Sequence, residues 1–247
     1  VRTRPGLIFL LSGWIFFSPS AYGDAGEPCP VILNFHDVKP NSGHYGLTPE
    51  YFEKIVVTIK ENNREIISFM DYYSFVLTRN ARRNKAVVFT FDDGHPSVLN
   101  SVIPILDRHR SGATFFIYTD RYAEKSTFYV RLSKLPLKYE IGSHSLSHGD
   151  LVVALREDPA RYYRELFLSR KKLEYNTGRK INTFAWPYGH YEAPMKESVF
   201  QAGYEFQLAA GILHRQKITN RICGRFTVKR ETKIPEILRM INPESWE

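Results

Sequence analysis

Short apolar runs alternate with longer amphipathic stretches through most of the chain. Val31-Ile32-Leu33-Asn34-Phe35 has the nearly continuous apolar character of a buried strand. Thr48-Pro49-Glu50 predicts a helix start, with Thr as N-cap and Pro in the first helical position. Glu65 to Phe69 predicts a second strand. Lys85 to Phe91 predicts a third, and its Val87-Val88-Phe89 centre suits burial on both faces. A helix is expected from Pro96 to His109 with Gly112 as its stop, then strands at Ala113 to Tyr118 and Tyr139 to Gly142. Asp158-Pro159 opens the clearest helix, in which Tyr162, Leu166 and Leu173 form a core stripe at helical spacing and Gly178 ends the run. Ile181 to Trp186, Tyr204 to Ala209 and Arg225 to Val228 complete the strand candidates. Strand and helix repeated in this order imply an α/β fold whose parallel sheet is covered on both faces. About seven strands in this length favour a closed or nearly closed barrel with outer helices. No repeat or linker divides residues 24–247, which are expected to form one domain.

Barrels of this kind carry their chemistry on the loops that follow the strands. The unusual polar residues fall there: His36 and Asp37 after the first strand, Asp92 and Asp93 after the third, His144 and His148 after the fifth, and Trp186-Pro187-Tyr188-Gly189 after the sixth. Consecutive side chains on extended backbone point differently, so one aspartate can bind a metal while the other stays free as a base. Asp-Asp-Gly is also good turn chemistry. His144 and His148, four apart, can share one side of a helical turn. Two imidazoles and a carboxylate make a three-ligand site with open positions. A metal there can polarise an amide carbonyl and acidify water, Asp92 can take the water's proton, and a second acid must protonate the departing amine. His36 is the candidate for that acid. The same three ligands hold iron in oxygenases, but a second carboxylate has an obvious role only in hydrolysis. Trp186, Tyr188 and Tyr191 can wall a sugar groove, with core packing as the alternative for Trp186. His95 reads as a surface residue, and His44, His109 and His190 as structural or solvated. Asp37 either orients His36 or caps the next turn.

Composition narrows the setting. A hydrophobic content of 43% with 24% charged residues is that of a chain that buries a core, which excludes disorder. The formal charge of +8 is dispersed except at Arg82-Arg83 and Arg170-Lys171-Lys172. A basic balance could meet nucleic acid or equally suit work beside anionic envelope polymers; no nucleic-acid module surrounds those clusters, which read as solvated faces. Arg2 and Arg4 precede an apolar run from Leu7 to Phe17, and Ala21-Tyr22-Gly23 supplies small residues for cleavage. Residues 1–23 are therefore expected to be a signal peptide, with an uncleaved anchor as the alternative, and the mature chain to be a periplasmic or extracellular monomer without a membrane span. Export makes a disulfide between Cys29 and Cys223 possible, while free thiols stay open because sequence cannot supply their separation.

These motifs together resemble those of the polysaccharide deacetylases, the NodB-like group of carbohydrate esterase family 4. Thr90-Phe91-Asp92-Asp93-Gly94 matches the first motif of that family, and Glu140-Ile141-Gly142-Ser143-His144-Ser145-Leu146-Ser147-His148 the second. Ala113-Thr114-Phe115-Phe116 matches the strand between them. The resemblance runs from about Val31 to Val228 and implies a distorted (β/α) barrel of about seven strands. It implies Asp92 as base and Asp93, His144 and His148 as ligands of a divalent metal, zinc with cobalt or nickel as alternatives. It further implies a polysaccharide substrate bearing N-acetylglucosamine, with the backbone amide at Tyr188 holding the oxyanion. Asn34-Phe35-His36-Asp37-Val38 and Phe184-Ala185-Trp186-Pro187-Tyr188-Gly189 look more narrowly like the periplasmic deacetylases of poly-β-1,6-N-acetylglucosamine, a biofilm polymer. By matching position His36 inherits the acid role there. The arginine that braces the catalytic aspartate in the wider family is missing from the third motif, where Ala185-Trp186 stands, and Arg225 is the candidate replacement. Ile212-Leu213-His214 superficially resembles the C-terminal Leu-x-His element, which leaves His214 as a second candidate acid. Expected substrate contacts are Tyr188, Trp186, Pro187 and Arg225. A deacetylase of chitin-like or peptidoglycan glycans and a non-catalytic glycan-binding barrel are the alternatives, and four intact site residues argue against the last.

Overall fold

Ten strands and eight helices follow one another along the described residues, 30–211 and 222–242 of the computed structural model. β1 (Val31–Phe35) leads through the short pair β2 (Asp37–Val38) and β3 (Gly46–Leu47) into α1 (Pro49–Glu61), β4 (Glu65–Ile67) and α2 (Phe69–Leu77). β5 (Ala86–Phe91), α3 (Ile103–Arg108), β6 (Ala113–Ile117), α4 (Thr127–Ser133) and β7 (Tyr139–Ser143) come next. α5 (Leu151–Glu157) and α6 (Pro159–Thr177) precede β8 (Thr183–Ala185), α7 (Met195–Gln201), β9 (Phe206–Ala210), β10 (Ile222–Thr227) and α8 (Ile234–Ile241).

All pairings are parallel, and the order β1-β10-β9-β8-β7-β6-β5 returns to β1, so seven strands close a barrel. β4 is an extra strand beside the first half of β5. Val87 pairs with Val31 on one side and Ile66 on the other, whereas Thr90 pairs with Asn34 and Thr114. This is the distorted (β/α) barrel that the alternation and the family motifs imply.

The period of two along each strand divides the side chains between two cores. Val31, Leu33 and Phe35 of β1, with Val87, Phe89 and Phe91 of β5, pack outward against the helices. Ile32, Val88, Phe116, Ala185, Leu208 and Cys223 fill the barrel interior. α1 supplies Phe52, Ile55, Val56 and Ile59 to the outer core, each fully buried and each contributing about 1.5–3 kcal/mol. Its cap is as expected: Thr48 Oγ1 accepts from the Tyr51 amide at 3.2 Å. α6 begins with Asp158 Oδ1 accepting from the Arg161 amide at 3.0 Å and ends at Gly178, φ 66°.

Two elements differ from expectation. The strand at Glu65 stops at Ile67, because Ser68 Oγ accepts from the Asp71 amide at 3.2 Å and starts α2 at Phe69. Phe69, Tyr72 and Tyr73 then join the interior cluster. The helix expected from Pro96 is a π-type turn, Val98–Val102, followed by the short α3. Pro104 has no amide to offer the carbonyl one turn back, and the backbone widens ahead of it.

Candidate active site

The interior positions turn polar toward the C-terminal end of the strands, where Asn34, Thr90 and Arg225 lead up to Asp92. Asp92 is 3% exposed, and its carboxylate is gripped from below. Arg225 donates from Nη1 to Oδ1 at 2.7 Å and from Nη2 to Oδ2 at 2.8 Å, and Asn34 Nδ2 donates to Oδ2 at 3.0 Å. Arg225 Nη1 and Thr90 Oγ1 also donate to Asn34 Oδ1, at 3.0 and 2.9 Å, which fixes the direction of that amide. Burial alone would raise the Asp92 carboxyl, but Arg225, His144 and His36 hold it below the usual carboxylate range. Asp92 is therefore ionised at neutral pH. Arg225 is 1% exposed and lies 5.5 Å over the Phe116 ring, so it cannot meet a substrate. Its expected place as a substrate contact is corrected, and the expected bracing contact is present.

Asp93 turns the other way. Its φ is 68°, and at Gly94, φ 64°, a Cβ would meet Ile117 Cγ2 at 2.9 Å. Asp93 Oδ1 lies 3.2 Å from His148 Nε2 and 3.7 Å from His144 Nε2, and although buried it makes no hydrogen bond. Burial would raise Asp93, but His148, His95 and His144 hold it far below the ordinary range. His144 Nδ1 donates to the Ala185 carbonyl at 2.8 Å, which leaves the lone pair on Nε2. One ligand atom from each of Asp93, His144 and His148 lies within 4.8 Å of the others. An orphaned carboxylate oxygen facing two imidazole nitrogens fits a divalent cation.

The two histidines do not share a helical turn, as their spacing had suggested. They sit on a loop in which Ser145 and His148 have φ of 71° and 64°, and their rings are 4.8 Å apart at 66°. Four of the nine non-glycine residues with left-handed backbone among the described residues, Asp93, Ser145, His148 and Tyr188, are in this site. Glu165 of α6 holds the loop, accepting from the Leu146 and Ser147 amides at 2.9 Å each and from Ser147 Oγ at 2.5 Å. Sequence reasoning missed Glu165. Its signal is a charge on the buried stripe of α6 between Tyr162 and Leu166.

His36 follows β1, and its buried Nδ1 has no hydrogen-bond partner. Burial pulls its pKa below the ordinary value, against Asp92 and Asp93, which raise it. Asp37 does not orient it, but pairs with Lys39 Nζ at 2.6 Å. Two exposed aromatic rings flank the site: Tyr45, 5.1 Å from the His36 ring, and Tyr188, 4.8 Å from the His148 ring. Trp186 and Pro187 are corrected as substrate contacts because both are buried. Trp186 stacks on Tyr191 at 5.5 Å and donates from Nε1 to Gln207 Oε1 at 3.1 Å. The pair instead carries Tyr188, which at φ 59° projects to the rim. His95 is no bystander on the surface, since its Nε2 lies 3.3 Å from Asp93 Oδ2. His190 pairs with Asp150 and His109 with Glu53, at 3.1 and 2.8 Å. Cys223 is disulfide-bonded. Residues 1–23, Cys29 and His214 lie outside the described residues. No helix among the described residues is long and apolar enough to cross a membrane.

Fold and site define a closed (β/α) barrel with a candidate metal centre and an ionised, braced carboxylate at the C-terminal ends of its strands. The chain belongs to the polysaccharide deacetylase family, whose model matches residues 79–207, more than half of the sequence. Peptidoglycan-N-acetylglucosamine deacetylase PgdA of Listeria monocytogenes is 29% identical over 120 residues, 48% of this chain and 25% of that protein. Poly-beta-1,6-N-acetyl-D-glucosamine N-deacetylase of Staphylococcus aureus is 22% identical over 176 residues, 66% of this chain and 60% of that protein. The chain thus spans a quarter to three-fifths of these relatives' lengths. Among solved structures, a de-N-acetylase from Aggregatibacter actinomycetemcomitans superposes with TM-score 0.75 at 20% identity, covering 85% of this chain and 98% of that one. IcaB from Ammonifex degensii superposes with TM-score 0.73 at 19% identity, covering 87% and 98%.

Proposed function

We propose that this protein is a metal-dependent N-deacetylase that removes acetyl groups from a polysaccharide containing N-acetylglucosamine. The observation that carries this reading is Asp92: ionised, out of water, braced by Arg225 and set beside the Asp93-His144-His148 cluster. A divalent cation held by those three residues, zinc with cobalt or nickel as alternatives, supplies polarisation of the acetamide carbonyl and a more acidic water. Asp92 takes the proton of the attacking water at its carboxylate. Arg225 and Asn34 keep that carboxylate aimed and ionised. The backbone amide at Tyr188 takes the role of oxyanion donor that the family motif implies. His36, the imidazole facing both aspartates, delivers the proton that lets the amine leave. Tyr45 and Tyr188 offer stacking faces for sugar rings on either side.

The β-1,6-linked polymer is the substrate we favour. His36 sits directly after β1, as in the deacetylases of that polymer, and one relative bears that substrate in its name. Such a polymer lies outside the inner membrane, which agrees with the leader-like pattern of residues 1–23.

The test is acetate release by purified protein, stripped of metal and reloaded with zinc or cobalt. Chitin-type and β-1,6-linked oligomers serve as substrates. Release is expected from both, faster from the second, and no acetate from either sinks the proposal. Asp92→Asn should lose turnover and still bind cobalt; lost cobalt binding would reverse the roles of the two aspartates. His36→Ala should slow turnover by about 10²-fold or more. A rate near wild type would move the acid role to His214.

A further inference from the structure

We propose that Arg121 is a positioning residue that aligns two ligand side chains of the metal site, Asp93 through His95 and His148 through Tyr118. The proposal rests on reading Asp93, His144 and His148 as that site. Arg121 ends the single turn Thr119–Arg121 that follows β6, and it touches none of the three ligands' metal-facing atoms. Its two terminal nitrogens serve two different residues. Nη2 donates to His95 Nδ1 at 3.2 Å, and Nη1 donates to Tyr118 Oη at 2.8 Å.

A guanidinium can only donate, so His95 Nδ1 must accept and the ring proton must sit on Nε2. That nitrogen lies 3.3 Å from Asp93 Oδ2. Asp37 Oδ2, 3.9 Å from His95 Nδ1, is beyond hydrogen-bond reach and does not compete for the ring. With Oδ2 held by a donor, Asp93 presents its other oxygen, Oδ1, to the two imidazoles. On the other branch the Tyr118 ring, tethered by its hydroxyl, packs 5.5 Å from the His148 ring. The guanidinium lies over the faces of Tyr118 and Tyr122, at 5.4 and 6.0 Å, and Tyr122 Oη donates to the Gly94 carbonyl at 2.9 Å. The backbone of the same turn ties down the histidine loop: the Thr119 amide donates to Ser145 O at 3.2 Å and the Asp120 amide to Leu146 O at 2.8 Å. One turn therefore ties down the histidine loop through its backbone and reaches His95 directly and the His148 ring by way of Tyr118 through the Arg121 side chain. The task needs a planar fork with two separated donors, which a lysine ammonium does not offer.

The experiment is a cobalt titration of the metal-stripped protein against a competing chelator, with the visible cobalt band recorded. Arg121→Met and His95→Leu should each weaken cobalt binding by about 10- to 100-fold and alter the band, as loss of an outer-shell partner does. The metal-free melting temperature of each should stay within about 3 °C of wild type, so that the lost affinity is not a lost fold. Arg121→Lys keeps the charge and should remain weak. Wild-type affinity in Arg121→Lys, or affinity within about twofold of wild type in either other variant, overturns the proposal. So does a loss of affinity that merely follows collapse of the metal-free fold. If the wild-type protein itself binds no cobalt, it is the metal-site reading that fails.

Discussion

Asp92 and Arg225 stand 133 residues apart in the chain and share two hydrogen bonds out of reach of water. Removing one member of such a pair leaves the other charge buried and unmatched, which costs about 3–5 kcal/mol. Arg225→Met in metal-free protein should therefore lose about that much stability at neutral pH, measured by urea unfolding. Asp92→Asn in the same background should restore most of it, because the stranded carboxylate is gone. A single variant as stable as wild type would mean that solvent reaches Asp92 and that Arg225 is not its brace. Legibility at this scale follows locality. Asp92, Asp93, His144 and His148 could be read because each pair lies within five consecutive residues and carries its chemistry in its spacing. Glu165 and the link from His95 to Asp93 could not, because their partners are set by how α6 and the loop after β5 pack. Trp186 was misplaced for a related reason. An aromatic residue after a strand can point to the rim or under it, and only the turn at Tyr188, φ 59°, decides which ring emerges.

Between elements, Glu140 of β7 binds three strands and a helix start. Its carboxylate accepts from Thr114 Oγ1 of β6 and Thr183 Oγ1 of β8 at 2.7 Å each, and from the Met70 amide in the first turn of α2 at 3.2 Å. Burial pushes this carboxyl up to about 7 from an ordinary 4.5, against those three donors. The folded state thus keeps a proton that the unfolded chain releases between those two values. Stability from this group is full below pH 4.5 and falls as pH rises through about 7, by roughly 3 kcal/mol in all. Glu140→Gln can keep its carbonyl on Met70 and Thr114 and turn its amide to Thr183. Its stability should lack that slope and exceed wild type above neutrality. Parallel slopes for the two proteins between pH 5 and 7, in denaturant titrations, would show that about the usual carboxylate pKa holds in the barrel. The strands themselves were legible from apolar runs and the helices α1 and α6 from their caps. The end of β4 was not, because Ser68 can serve as the last residue of a strand or as a cap, and only the docking of α2 chooses.

Over the whole molecule, the parallel order was readable from alternation and closure was expected from about seven strands in this length, but the strand pairing that closes the barrel was not legible. Closure depends on β1 pairing with β10 and β5 at once, across nearly the full length of the described chain. The proposed metal acts at this same scale. Asp93 comes from the loop after β5 and His144 and His148 from the loop after β7, so β6 lies between the two sources of ligands. A cation that joins them binds the closed barrel and finds no such cluster in the unfolded chain. By mass action, metal at about 100 times its dissociation constant should stabilise the fold by about 2.7 kcal/mol. For a domain of this size that is a rise in melting temperature of about 5–10 °C, reversed by a chelator. Asp93→Asn should lose the rise, since it removes a ligand, and Asp92→Asn should keep it, since its carboxylate belongs to Arg225. An unchanged melting temperature in wild type with saturating zinc, cobalt and nickel would remove the metal from the proposed chemistry. A rise that survives in Asp93→Asn would place the metal somewhere other than this rim.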